Sequence, residues 1–104
     1  MQPNGFSSEE FLGCAEFEWD EFNAPKIWGK HGVSIEECEQ VFFNAPLVVA
    51  EDVKHSEFEK RFYSLGQGDG GRLLFVVSIV REQRIRIISA RDMSRGERKV
   101  YESS

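Results

Sequence analysis

The sequence predicts an α+β fold, and three observations predict it. Two helical segments with recognisable start and stop signals fill residues 20–46. Apolar and alternating runs separated by glycine-rich or polar turns then occupy residues 61–90. A capping box at Ser94-Arg-Gly-Glu97 opens one last helix. Helices and strands are segregated rather than alternating. That order implies an antiparallel sheet of three or four strands, with two N-terminal helices before it and a C-terminal helix after it. At 104 residues, 40% of them hydrophobic, the chain suits one domain with a modest core.

Residues 1–15 read as a flexible N-terminal extension, which Phe6, Phe11 and Leu12 can tie down as a short helix after Ser8; residues 16–104 read as the single folded domain. Phe17-Glu-Trp19 alternates as a short strand or extended segment. Asp20 is a candidate N-cap for a helix running to His31. Its start can slip to Asn23, because Pro25 is tolerated only in the first turn. Gly32 supplies the left-handed stop. Ser34-Ile-Glu-Glu37 is a capping box for the second helix, on which Ile35, Cys38, Val41 and Phe42 share one face, and Pro46 ends it.

Leu47–Ala50 reads as an extended segment or brief strand, and residues 52–59 as a polar loop. Arg61–Leu65 is a strand. Gly66–Gly71, with four glycines and Asp69, is a long hairpin turn. Leu73–Val80 is nearly all apolar, as in a central strand buried on both faces. Arg81-Glu-Gln83 turns the chain into Arg84–Ala90. Alternation there puts Ile85, Ile87 and Ser89 on one face and Arg84, Arg86 and Ile88 on the other. The last helix is expected to reach about Glu102.

Charge is divided along the chain. Residues 1–59 hold thirteen acids against three lysines, and residues 60–104 hold ten bases against five acids, within a net charge of −5. Arginine collected on one segment makes a local anion-binding surface, since screening at physiological salt acts over about 8 Å. No apolar run approaches the roughly 18 residues of a membrane span, and Met1-Gln-Pro-Asn has no basic start and apolar stretch of a secretory signal. Cys14 and Cys38 lack paired spacing and read as reduced thiols; His31 and His55 make no zinc pattern, so neither a metal nor a cofactor is expected.

Arg84, Arg86, Arg91, Arg95 and Arg98 converge if the strands and last helix pack as consecutive elements do. Guanidinium groups suit phosphate because they offer planar paired donors and stay charged. Glu97, Arg98 and Tyr101 share one side of the helix. Glu97 can act as a base, and Tyr101 can stack on a nucleobase or move a proton. Lys30-His31 closes the first helix, where its dipole favours cations, and histidine moves protons near neutral pH; His55 follows the same logic on a loop. Each residue also has a plain structural role: Glu97 closes a capping box, Tyr101 covers a core edge, and Arg84 and Arg86 are solvated sheet charges. The run Gly66-Gln-Gly-Asp-Gly-Gly71 joins two strands rather than opening a helix, and so reads as a turn and not a phosphate loop.

Phe17-Glu-Trp-Asp20, Lys30-His-Gly-Val-Ser34, His55-Ser-Glu57, Arg61-Phe62, Gly71-Arg-Leu-Leu-Phe-Val-Val77 and Ile85-Arg-Ile-Ile-Ser-Ala-Arg91, with Glu97-Arg98 and Tyr101, resemble the BrnT toxins. These are the ribonucleases of type II toxin–antitoxin modules. The resemblance covers about residues 16–102. It implies a RelE-like fold, metal-independent RNA cleavage that inhibits translation in the cytoplasm, and a BrnA-like ribbon-helix-helix antitoxin that neutralises the toxin and binds operator DNA. On that reading Arg91, with Arg72 or Arg98, stabilises transition-state charge, and His31 or Glu97 is the base. Tyr101 stacks or donates a proton, Lys30 holds phosphate, and Arg84, Arg86 and Arg95 bind RNA. A non-catalytic RNA- or protein-binding module with a basic face, or a degenerate toxin kept as a scaffold, is the alternative.

Overall fold

A computed structural model describes residues 11, 13, 14 and 16–104. The order is β1 (Glu16–Glu18), α1 (Asn23–His31), α2 (Ile35–Val41), β2 (Val48–Glu51), β3 (Arg61–Gln67), β4 (Leu73–Arg81), β5 (Arg84–Asp92) and α3 (Arg95–Glu102), with a 3-10 turn at Val53–His55. The α1 helix starts at the later of its two expected positions. Asp20 shapes the turn before it, Oδ1 accepting from the Phe22 N–H at 2.7 Å, and Pro25 falls in the first turn. Gly32 takes φ 63° and donates its N–H to the Trp28 carbonyl. Both capping boxes form: the Ser34 and Ser94 hydroxyls accept from the N–H groups of Glu37 and Glu97, and each glutamate reaches back to the cap N–H.

The sheet departs from the expected three or four antiparallel strands. It has five, in the order β1-β5-β4-β3-β2, and is mixed: β1 pairs parallel with β5 while the other pairs are antiparallel. Three alternating residues reveal a strand but not its partner. Glu16 lies opposite Arg84 and Glu18 opposite Arg86. Arg84 is ion-paired with Glu16, and Arg86 reaches Glu18 at 3.0 Å and Asp20 at 2.6 Å.

β5 also carries a bulge. Val77 faces Ser89 and Ser78 faces Ile87, so Ile88 is the extra residue. The expected grouping of Ser89 with Ile85 and Ile87 therefore fails. Ile85, Ile87 and Ala90 are buried on one face, while Arg84, Arg86, Ser89 and Arg91 share the other.

The helices α1 and α2 cover the first face. Ile27, Val33, Cys38, Val41 and Phe42 meet Phe62, Leu74, Val76, Ile85, Ile87 and Ala90 there. Phe11 is fully buried among them, edge-on to Phe42 at 5.0 Å and Phe62 at 5.4 Å. Phe6, Leu12 and most other residues of the expected extension lie outside the described ones. Gly66 belongs to β3 rather than to the turn. α2 passes so close that a Cβ on it would lie 2.6 Å from Val41 Cγ1.

On the second face, Ile79 lies in register between Arg61 and Arg86, Val77 between Tyr63 and Ser89, and Phe75 between Leu65 and Arg91. α3 packs against β3, and the buried Tyr101 donates its hydroxyl to the Pro46 carbonyl at 2.8 Å. Among the described residues, no helix is long and apolar enough to cross a membrane.

Candidate functional site

The bulge at Ile88 sends Arg91 to the second face and leaves Asp92 on the helix side. Asp92 accepts from Arg72 Nε at 2.8 Å and Nη2 at 3.1 Å. Arg72 Nη1 also donates to the Gly32 carbonyl at 2.8 Å and Glu37 Oε1 at 3.2 Å, and Nη2 to the His31 carbonyl at 3.1 Å. All five guanidinium N–H donors are thereby engaged. Arg72 ties the end of α1 and the start of α2 to the end of the sheet. Its hydrogen bonds to Asp92 push its pKa up, and they hold the Asp92 carboxyl below the usual range, with Arg98 and His31 adding to that effect. Of the expected site residues, Arg72 contacts Asp92 directly, whereas His31 and Arg98 act on it only through their charge, with no hydrogen bond or ion pair to it among the described residues. Lys30 is exposed on the last turn of α1.

Arg91 is held differently. Nη1 and Nη2 each donate to a Glu97 oxygen at 2.9 Å, Nη1 also reaches the Asp92 carbonyl at 3.1 Å, and the guanidinium lies 4.2 Å over the Phe75 ring. Among the described residues three of its donors are used and two remain. Arg91 and the Ser94 N–H stabilise the Glu97 carboxylate and lower its pKa. A carboxylate so stabilised is a weak base at neutral pH.

The other expected site residues have structural partners or stand apart. Tyr101 is 5% exposed with its hydroxyl on Pro46, which leaves no ring face for a nucleobase. Burial pushes that phenol's pKa up. Arg84 and Arg86 are paired with acids of β1 and Asp20, about 13 Å or more along the sheet from Arg91. Arg95 and Arg98 are exposed on α3.

The structure adds a group that the sequence does not assemble. Phe75 stacks on Tyr63 at 5.5 Å, and Tyr63 donates its hydroxyl to Asp52 Oδ2 at 2.6 Å. The same oxygen pairs with His55 Nδ1 at 2.8 Å. Asp52 is buried, yet these hydrogen bonds lower its pKa and keep it ionised. A row therefore runs across the second face, from Glu97 and Arg91 through Phe75 and Tyr63 to Asp52 and His55. His55 carries a signal in sequence, histidine being the residue type that moves protons near neutral pH. Asp52 carries none, because a loop aspartate is ordinarily exposed. Among the described residues, no three His, Cys, Asp or Glu side chains are grouped to hold a metal ion.

Fold and surface together define a small α+β domain with one sheet face covered by helices and the other bearing arginine, aromatic and histidine side chains. Its architecture is similar to the 1.1 Å crystal structure of the Brucella abortus ribonuclease toxin BrnT, with a TM-score of 0.58 over 77% of this chain and 97% of that one, at 19% identity. Residues 19–97 match the family described as ribonuclease toxin, BrnT, of type II toxin–antitoxin system, and the chain belongs to that family. No curated protein sequence gives a significant match. Membership implies an RNA substrate and an antitoxin partner.

Proposed function

We propose that this chain is a metal-independent endoribonuclease toxin of RelE-like fold, which cleaves RNA in the cytoplasm and so inhibits translation. A BrnA-like ribbon-helix-helix antitoxin neutralises it, and their complex binds operator DNA. Beside family membership, one observation carries the reading: Arg91 is locked over Phe75 by Glu97, with two donors unused among the described residues.

Cleavage without a metal needs a base for the 2′-hydroxyl, cations on the non-bridging oxygens and a proton for the leaving 5′-oxygen; the 2′-hydroxyl confines it to RNA. Donors fixed in place before the reaction do most to lower the barrier in such chemistry, and Arg91 supplies them. Arg98, Arg95 and Lys30 are exposed cations for flanking phosphates. Arg72, with every donor engaged, acts by positioning α1 and β5; Glu97 fixes Arg91, and Tyr101 anchors α3. Arg84 and Arg86 hold β1 to β5. With Glu97 so occupied, proton transfer falls to a histidine, for which the sequence offers His31 and His55.

The test is single-turnover cleavage of a defined single-stranded RNA in EDTA. The expected result is cleavage by the wild-type protein and a loss of about 100-fold or more in Arg91→Ala. RNA bound but left intact by folded protein would instead identify a binding scaffold.

A further inference from the structure

The segment from Asp52 to Tyr63 holds chemistry that the role of Arg91 leaves unused. It is rigidly built. The Asp52 N–H donates to the Arg61 carbonyl at 2.7 Å, while the Ser56 hydroxyl donates to the Asp52 carbonyl at 2.7 Å and accepts from the Arg61 N–H at 2.9 Å. His55 projects from this frame with its side chain 53% exposed. Its Nδ1 is held by the buried Asp52 carboxylate, and Nε2 has no partner among the described residues. A carboxylate that accepts Nδ1–H fixes the tautomer and leaves the Nε2 lone pair outward, as an imidazole needs to accept a proton.

Arg61 stands out among the five arginines within the sheet strands. Arg81, Arg84, Arg86 and Arg91 each sit within hydrogen-bonding distance of a carboxylate, whereas among the described residues the nearest acid to Arg61 is Asp52 at 3.8 Å and its Nε makes no hydrogen bond. Its terminal nitrogens are uncommitted among the described residues. Phe58, midway between His55 and Arg61, is 92% exposed. Single-stranded RNA is recognised by bases stacked on exposed aromatic rings beside cations that follow the backbone. The Tyr63–Phe75–Arg91 row puts this group on the same sheet face as Arg91, whereas the His31 carbonyl is bound on the helix side by Arg72.

We propose that His55 is a catalytic residue of the ribonuclease, accepting the 2′-hydroxyl proton, while Arg61 holds an adjoining phosphate and Phe58 stacks on a neighbouring base. The proposal rests on the ribonuclease reading. In the step, His55 Nε2 takes the 2′-hydroxyl proton, the O2′–P bond forms, the P–O5′ bond breaks, and water protonates the leaving oxygen. The products are a 2′,3′-cyclic phosphate and a 5′-hydroxyl; the hydroxide left behind recovers the proton from the imidazolium. Asp52 is a positioning residue.

The experiment pairs single-turnover cleavage of a single-stranded RNA in EDTA with binding to the all-2′-deoxy strand of the same sequence. His55→Ala should slow cleavage about 100- to 10,000-fold with unchanged affinity for the deoxy strand. Phe58→Ala and Arg61→Ala should weaken that affinity. Asp52→Asn should lower kcat without raising KM, a split that general loosening of the segment would not produce. Thermal melting checks each fold, and His55→Gln replaces a variant that melts early. A wild-type rate in folded His55 variants would overturn the proposal and leave the ribonuclease standing. Equal losses of rate and affinity would make His55 a binding residue and overturn it too. A wild-type protein that leaves RNA intact would overturn both readings.

Discussion

Arg72 and Arg91 carry the same guanidinium and differ in what is left free. Arg72 makes hydrogen bonds to two carboxylates and two carbonyls, so Arg72→Lys, with three donors in place of five, should cost about 2 kcal/mol in thermal or urea unfolding and little in cleavage below the melting range. Arg91→Lys should show the reverse, a near-normal melting curve with cleavage reduced about 100-fold, because an ammonium cannot hold Glu97 and a phosphate in one plane. Cys38 makes a separate case. Burial, with Glu37 and Glu39 nearby, pushes its thiol up to about 12, so it should resist a thiol reagent in the native protein and react once unfolded. Rapid native modification of Cys38, located by peptide mapping, would contradict this. The chemical types proposed for the site, arginine for phosphate and histidine for protons, were legible in the sequence. Which arginine keeps free donors was not, because that depends on acids brought from distant segments.

At the scale of elements, local signals proved reliable and distant ones did not. Ser34–Glu37 and Ser94–Glu97 each hold a whole capping box within four residues, and both form. The partner of β1 lies at the far end of the chain, and the bulge at Ile88 arises from pairing with β4, so neither is written in its own neighbourhood. The β4–β5 hairpin turns through Glu82 and Gln83, at φ 50° and 65°, between the paired Arg81 and Arg84. A two-residue loop with both residues left-handed is a type I′ turn, which favours Asn-Gly. Replacing Glu82-Gln83 with Asn-Gly should therefore raise stability by about 1 kcal/mol, read as a higher melting midpoint. An unchanged or lower midpoint would show that the turn stores no such strain.

For the whole molecule, the division of charge along the chain is largely cancelled in space. Acids of β1 and Asp20 lie against Arg84 and Arg86, Glu59 against Arg81, and Glu97 against Arg91. The basic surface legible in the sequence is accordingly smaller than its arginine count, and RNA binding should follow the few cations left free. With the five cations assigned to phosphate, Lys30, Arg61, Arg91, Arg95 and Arg98, log affinity for single-stranded RNA should fall with log salt at a slope of about −3.5, measurable by anisotropy. Five acids are held below their ordinary pKa: Asp20 by the Phe22 N–H and Arg86, Asp52 by Tyr63 and His55, Glu59 by Arg81, Asp92 by Arg72, and Glu97 by Arg91. The folded state thus binds fewer protons than the unfolded one. Their stabilisation is complete above the unfolded values, at about pH 4, and drains away as pH falls through the lowered folded ones. Melting temperatures should hold steady from neutrality to about pH 5 and drop steeply below about pH 4. The parallel pairing of β1 with β5 has a consequence in time as well. A nascent chain emerges acidic half first, and the first strand waits for nearly all the rest to be synthesised before its place in the sheet exists. Arg91 lies on that same late strand, so on the role proposed for it the nascent chain gains its cleaving activity only once the sheet can close.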